Sequence, residues 1–165
     1  MTEIGGFALP RHGALKDAFA ANFAAGEELG ARFTLVEAGE IVADLWAGWA
    51  DRKRTIAWDE RTIAPVFSTT KAVAALMIAR LVDAGKLDYG QTVASVWPEF
   101  AQAGKAEIPV RWLLAHKAGL PVIDKPLTLD ETLRWDPVIV ALEEQAPVWE
   151  PGSAHGYHAV TFGYL

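Results

Sequence analysis

Between Ser68 and Gly85 lies the segment that most constrains how this chain can fold. After Ser68-Thr69-Thr70-Lys71 the run carries Ala72, Ala75, Leu76, Ala79, Val82 and Ala84 with few polar interruptions. A helix that is apolar almost all round has no face to give to water, so the pattern predicts a buried central helix with other elements packed around it. Ser68 or Thr69 can cap its start, and Asp83-Ala84-Gly85-Lys86 ends it with a glycine stop.

The candidate companions are legible on both sides. Leu15, Phe19 and Phe23, four residues apart, form the apolar stripe of a helix over 13–25. Two β-rich runs, 31–36 and 41–49, flank the short link Glu37-Ala38-Gly39-Glu40 and predict an antiparallel hairpin. A helix followed by antiparallel strands indicates α+β and not a βαβ alternation. Downstream, 93–98 predicts a short helical turn, and 109–116 a helix opened by Pro109. Asp130 can cap a further helix to about Gln145, broken or restarted at Pro137, and Glu150-Pro151-Gly152-Ser153 reads as a turn. From Tyr157 onward the pattern suggests the first turns of another helix.

Composition removes several classes of function. A net charge of −6, with the one close basic run Arg52-Lys53-Arg54 flanked by Asp51, Asp59 and Glu60, gives no surface for nucleic acid or anionic lipid. No stretch approaches eighteen apolar residues, and the first ten residues do not resemble a secretory leader, so the expectation is a cytoplasmic protein with no membrane partner. There is no cysteine, hence no thiolate nucleophile and no Cys-ligated zinc. His155 and His158 lack a third ligand at metal spacing, so neither a metal nor another cofactor is expected.

One motif carries chemistry. Ser68-x-x-Lys71 puts a hydroxyl at a helix start and an amine three residues on, so the two share a face and lie within hydrogen-bond reach. The helix N-terminus favours a developing alkoxide, and the serine N–H can donate to an oxyanion. Three serines and seven lysines in 165 residues make a chance match common enough that the pair settles nothing by itself. The competing reading is a capping serine beside a solvated lysine. No Gly-x-Ser-x-Gly elbow is present, and nothing arranges a His and an Asp around any serine.

Further segments follow in order: Leu81-Val82-Asp83-Ala84-Gly85-Lys86-Leu87-Asp88, Trp97-Pro98-Glu99-Phe100, a stretch from Val110 to His116-Lys117-Ala118-Gly119-Leu120, and one from Trp149-Glu150-Pro151-Gly152 to Tyr157-His158. With the Ser-x-x-Lys pair, this series resembles the class C β-lactamase-like serine hydrolases, which include D-alanyl-D-alanine carboxypeptidases and family VIII carboxylesterases. The resemblance implies the N-terminal part of a β-lactamase/transpeptidase-like fold, an antiparallel sheet flanked by helices plus a helical region, with 1–165 as one incomplete hydrolase domain. It implies that Ser68 is the acylated nucleophile, and that Lys71 and Tyr157 manage its protons. It also places Trp135 and His158 at the substrate, an ester or amide of small size.

Two departures shape the expectation. Where β-lactamases read Tyr-x-Asn, this chain reads Tyr157-His158-Ala159, which favours an esterase over a β-lactamase or D-amino-acid amidase. The family's third motif, on a strand that supplies a second oxyanion N–H, does not fall within the 165 residues. The alternative from a different class is therefore an inactive fragment or pseudoenzyme that serves as an interaction module. For the 165 residues alone, inactivity with aggregation or oligomerisation through exposed apolar surface is expected.

Overall fold

The computed structural model describes residues 3–165. The chain divides into two compact units, Met1–Pro65 and Val66–Leu165, which are taken in turn.

In the first unit the hairpin forms as expected. Strands β2 (Gly30–Glu37) and β3 (Glu40–Gly48) pair antiparallel. Ala38 and Gly39 turn the chain with φ of 50° and 86°, the left-handed pair that matches the twist of the strands. A third strand, β1 (Ile4–Ala8), precedes helix α1 (Gly13–Ala24) and pairs with β3, giving the order β1-β3-β2. Glycines depress strand propensity, which is why Ile4-Gly5-Gly6-Phe7-Ala8 does not read as a strand. They are required here, because a Cβ on Gly5 would run into the Trp46 indole and one on Gly6 into the Asp44 carbonyl. β3 is the central strand and supplies Val42, Ala43, Leu45 and Ala47 to the interior. On the sheet surface Asp44 accepts from Arg32 at 2.7 Å and from Thr34 at 2.9 Å, and this pairing holds its carboxyl below the usual range.

The second unit is built from short helices. Helix α2 (Thr69–Asp83) ends in Gly85 at φ 66°, as the glycine stop predicts. After it come α3 (Val110–Leu114), α4 (Leu129–Leu133) and α5 (Asp136–Glu144). Their core gathers Val93, Phe100, Ile108, Val110, Leu120, Val138 and Leu142. The segment 130–145 is two helices, with the fresh start at Pro137 that the sequence predicts, but the cap is corrected. Thr128, not Asp130, caps the first in a reciprocal box with Glu131, and Trp135 at φ 70° breaks the chain before Pro137 enters the first turn of α5. Beyond Tyr157 the chain makes a single 3-10 turn, Thr161–Gly163.

The buried central helix is also corrected. No residue of α2 is fully buried, and Val73, Leu76 and Met77 are 54%, 62% and 64% exposed. Ile78 packs against the core of this unit, while the other large apolar side chains of α2 stay largely exposed. The conspicuous buried group is Lys105, fully enclosed, whose ammonium donates to the carbonyls of Gln102, Glu143 and Gln145.

Candidate active site

The start of α2 is a strained turn. Phe67 adopts φ 45°, a region that costs a non-glycine residue and that recurs at functional sites. The first amides of the helix are satisfied by the backbone: Thr69, Thr70 and Lys71 donate to the carbonyls of Val66, Phe67 and Ser68. Ser68 is itself in a helical conformation and makes no side-chain cap. The capping role expected for it is thereby corrected, because the i→i+3 bonds leave the hydroxyl nothing to cap. Its Oγ instead accepts from Lys71 Nζ at 3.0 Å and from the Tyr157 hydroxyl at 2.6 Å. Lys71 Nζ also donates to Ala159 O at 2.7 Å and lies 5.0 Å from the Tyr157 ring centre. The residues predicted from Ser68-x-x-Lys71 and from the distant Tyr157 thus meet at one oxygen atom.

The same contacts tune the phenol. The hydrogen bond to Ser68, then the bond to and charge of Lys71, hold Tyr157 below the ordinary phenol value near 10. Such a phenol yields its proton more readily than a free tyrosine and is a usable base nearer neutrality.

The loop that carries Tyr157 is held by two histidines. His116 O accepts from Gly156 N at 3.1 Å, and His116 Nδ1 accepts from His158 N at 3.0 Å. His158 Nε2 accepts from Leu120 N at 3.0 Å, and its Nδ1 lies 2.5 Å from Gly156 O. Thr161 Oγ1 donates to Leu120 O at 2.6 Å, so residues 116–120 run beside 156–161. Gly119, at φ 77°, must stay a glycine, because a Cβ would press on the Trp149 carbonyl and on Pro147.

His158, expected at the substrate, has its side chain enclosed instead. It is 1% exposed, with both ring nitrogens engaged by the backbone, so it supports the loop from behind. Trp135 is 52% exposed and stacks on Tyr164 with centroids 4.5 Å apart, while it makes no hydrogen bond or aromatic contact with Ser68, Lys71 or Tyr157. Sequence pattern points to His116 only as a residue orienting the turn before Gly119. Its grip on both neighbours of Tyr157 is invisible there, because the partners lie forty residues apart. Among the described residues no group of three or more His, Asp or Glu side chains is placed to hold a metal ion, and no helix is long and apolar enough to cross a membrane.

Burial is the first cause that lowers the pKa of both imidazoles. For His116 the charges of His158, Lys71 and His155 add to it; for His158 the bond to Gly156 O works in the opposite direction. The unfolded chain, with histidines near 6.5, therefore binds protons more readily than the folded one. Stability from these groups is complete above about pH 6.5 and is lost as pH falls through the folded values. A urea midpoint lower at pH 5 than at pH 7.5 is expected. The carboxylates with lowered values, Asp44 and Glu37 among them, titrate below that window, so an unchanged midpoint would contradict the assignment to the histidines.

Comparison with known proteins gives one consistent result. The Beta-lactamase family model matches residues 15–165. The chain is 38% identical to "Esterase/beta-lactamase LipL" of Mycobacterium tuberculosis over 166 residues, which is 99% of this chain and 38% of the relative. A penicillin-binding protein homolog from Caulobacter crescentus superposes with a TM-score of 0.93 at 49% identity, covering 98% of this chain and 44% of that one. A family VIII carboxylesterase superposes with a TM-score of 0.92 at 45% identity, with the same coverage. The chain thus spans well under half the length of these relatives.

Proposed function

We propose, since this chain belongs to the Beta-lactamase family, that the whole protein is a serine hydrolase that cleaves carboxylic esters through an acyl-enzyme on Ser68. Residues 1–165 form the N-terminal part of that hydrolase domain. The observation that carries the reading is the convergence of Lys71 Nζ and the Tyr157 hydroxyl on Ser68 Oγ.

Tyr157, as phenolate beside the Lys71 ammonium, takes the Ser68 proton as Oγ attacks the ester carbonyl carbon. The tetrahedral oxyanion forms beside the N-terminus of α2, whose dipole favours negative charge. Among the described residues the Ser68 N–H has no partner, which leaves it to donate to that oxygen. As the intermediate collapses, the ester C–O bond breaks and the Lys71–Tyr157 pair returns the proton to the departing alkoxide. The same pair then activates water against the acyl-enzyme, and Ser68 recovers its proton. Trp135, exposed and fixed against Tyr164, forms part of the wall that meets an acyl group of small or medium size.

Esters are favoured over lactams because Tyr157-His158-Ala159 offers no amide side chain two residues beyond the tyrosine. The name of one relative, a family VIII carboxylesterase, supports the same choice. A β-lactamase or D-amino-acid amidase is the competitor within this chemistry. The reading includes a cytoplasmic location. The whole protein is expected to turn over p-nitrophenyl butyrate faster than nitrocefin and to react with a fluorophosphonate at Ser68, with both activities absent in Ser68→Ala. Faster nitrocefin turnover would overturn the preference for esters, and a wild-type protein unlabelled at Ser68 would overturn the catalytic reading.

A second reading rests on the exposed apolar face of α2, which carries Val73, Leu76, Met77 and Leu81. A protein that self-associates through this face and leaves Ser68 unlabelled would be an interaction module. Sedimentation together with labelling separates the two readings.

A further inference from the structure

We propose that His116 is the positioning residue that aims the Tyr157 phenol at Ser68, by gripping the backbone on both sides of Tyr157 and packing its ring against the phenol ring. The inference rests on the reading of Tyr157 as the proton partner of Ser68 and assigns what governs that partner.

Four contacts converge on one side chain and its carbonyl. Gly156 N donates to His116 O at 3.1 Å, and His158 N donates to His116 Nδ1 at 3.0 Å. The residue between those two amides is Tyr157. The His116 ring then lies 4.9 Å from the Tyr157 ring and 5.0 Å from Phe162, centroid to centroid. Tyr157 is itself 56% exposed, so little else confines its ring, and a phenol that must sit 2.6 Å from Ser68 Oγ needs support. His116 adopts φ 56°, and its carbonyl and Nδ1 meet the amides on either side of Tyr157.

The grip has a chemical condition. Nδ1 accepts from His158 N–H only while it carries no proton, so the bond requires the neutral Nε2–H tautomer. Protonation would set an N–H against an N–H and add a cation near Lys71. The titratable or charged groups that face His116 are Lys71 from α2 and His155, Tyr157 and His158 from the loop beyond Gly152. The lowered pKa of His116 fits this cationic surrounding, since burial, His158, Lys71 and His155 all favour the neutral ring. The phenol should therefore be held in place at neutral pH and released in acid, which gives an acid limb that belongs to His116.

Two substitutions separate its parts. His116→Asn keeps an acceptor near the position of Nδ1, cannot titrate, and suits a positive φ. His116→Phe keeps a ring beside Tyr157 and removes the acceptor. In the folded protein, the 13C shift of the Tyr157 Cζ is expected to report a depressed phenol pKa in wild type and in His116→Asn, and a return toward the ordinary value in His116→Phe. The kcat for an ester should fall about a hundredfold in His116→Phe with little change in KM. His116→Asn should recover most of that loss and flatten the acid limb. Unchanged phenol titration in a folded His116→Phe protein would overturn the proposal, as would an acid limb in His116→Asn identical to wild type, which is decisive even where the Phe variant does not fold. The phenol titration needs no turnover, so it is separable from failure of the catalytic reading, whose sign is a wild-type protein unlabelled at Ser68.

Discussion

Tyr157→Phe is expected to slow the reaction of Ser68 with a fluorophosphonate by about a hundredfold to ten-thousandfold at pH 7.5, the range contributed by a positioned proton-transfer group. The substitution removes one oxygen and keeps the ring, so the packing on His116 survives. What disappears is the group that holds Ser68 Oγ at 2.6 Å and stands ready to take its proton. Lys71 remains at 3.0 Å but also donates to Ala159 O, which fixes it as a charge beside the site. The magnitude decides between two roles. If Tyr157 only oriented the serine, loss of one hydrogen bond would cost about 1 kcal/mol, near fivefold in rate. A loss of two orders of magnitude or more requires participation in the proton transfer. The pH profile supplies the second criterion: the alkaline rise of the wild-type rate, set by a phenol below its ordinary value, should vanish in the variant. A rate within fivefold of wild type with the profile intact would remove Tyr157 from the mechanism.

How much of this was legible beforehand depended on whether the cause was local. The hairpin, the glycine stop of α2 and the Ser68-x-x-Lys71 face arise from residues close in sequence, and propensity with spacing reports them. Tyr157 came from the resemblance, carried by the Trp149-to-Tyr157 segment, because no local rule links positions 89 residues apart. β1 was hidden because its glycines answer to Trp46 and Asp44 across the sheet. The capping of α2 differs from its sequence pattern because Ser68 has the side chain of a cap, but with Phe67 in the left-handed region backbone carbonyls take the first amides. The burial of α2 does not follow from its pattern, because an all-round apolar sequence states a need for cover, not which residues provide it. His158, polar and near the tyrosine, reads as a substrate contact, whereas its ring is consumed by Leu120 and Gly156.

Lys105 has surroundings that its local sequence does not announce, and its removal should have the largest effect on stability. Within Gln102-Ala103-Gly104-Lys105-Ala106-Glu107 it looks like a solvated loop lysine. It is instead fully enclosed, 5.5 Å from the Phe100 ring centre, with three carbonyl partners: Gln102 at 2.8 Å, Glu143 at 2.9 Å and Gln145 at 2.5 Å. Two of these acceptors belong to the C-terminal end of α5, where the helix dipole favours a cation. Burial pushes the amine below its ordinary value, with Glu143 pulling it back. Lys105→Met sets two effects against each other. Replacing a buried charge by an apolar chain of similar length recovers desolvation cost and is often neutral where the partner charge is replaced too. Here the partners are backbone carbonyls that no substitution removes: Gln102 O keeps the Lys105 backbone N–H at 3.1 Å, but Glu143 O and Gln145 O lose their donor, at about 1–3 kcal/mol each. The second effect should win by about 3 kcal/mol, which lowers the midpoint of thermal unfolding by roughly 10 °C. Lys105→Arg should not restore it, because the enclosed site has no room for the wider guanidinium. Melting followed by circular dichroism reads both variants, and a Met variant as stable as wild type would mean that water has taken the place of the ammonium among the three carbonyls.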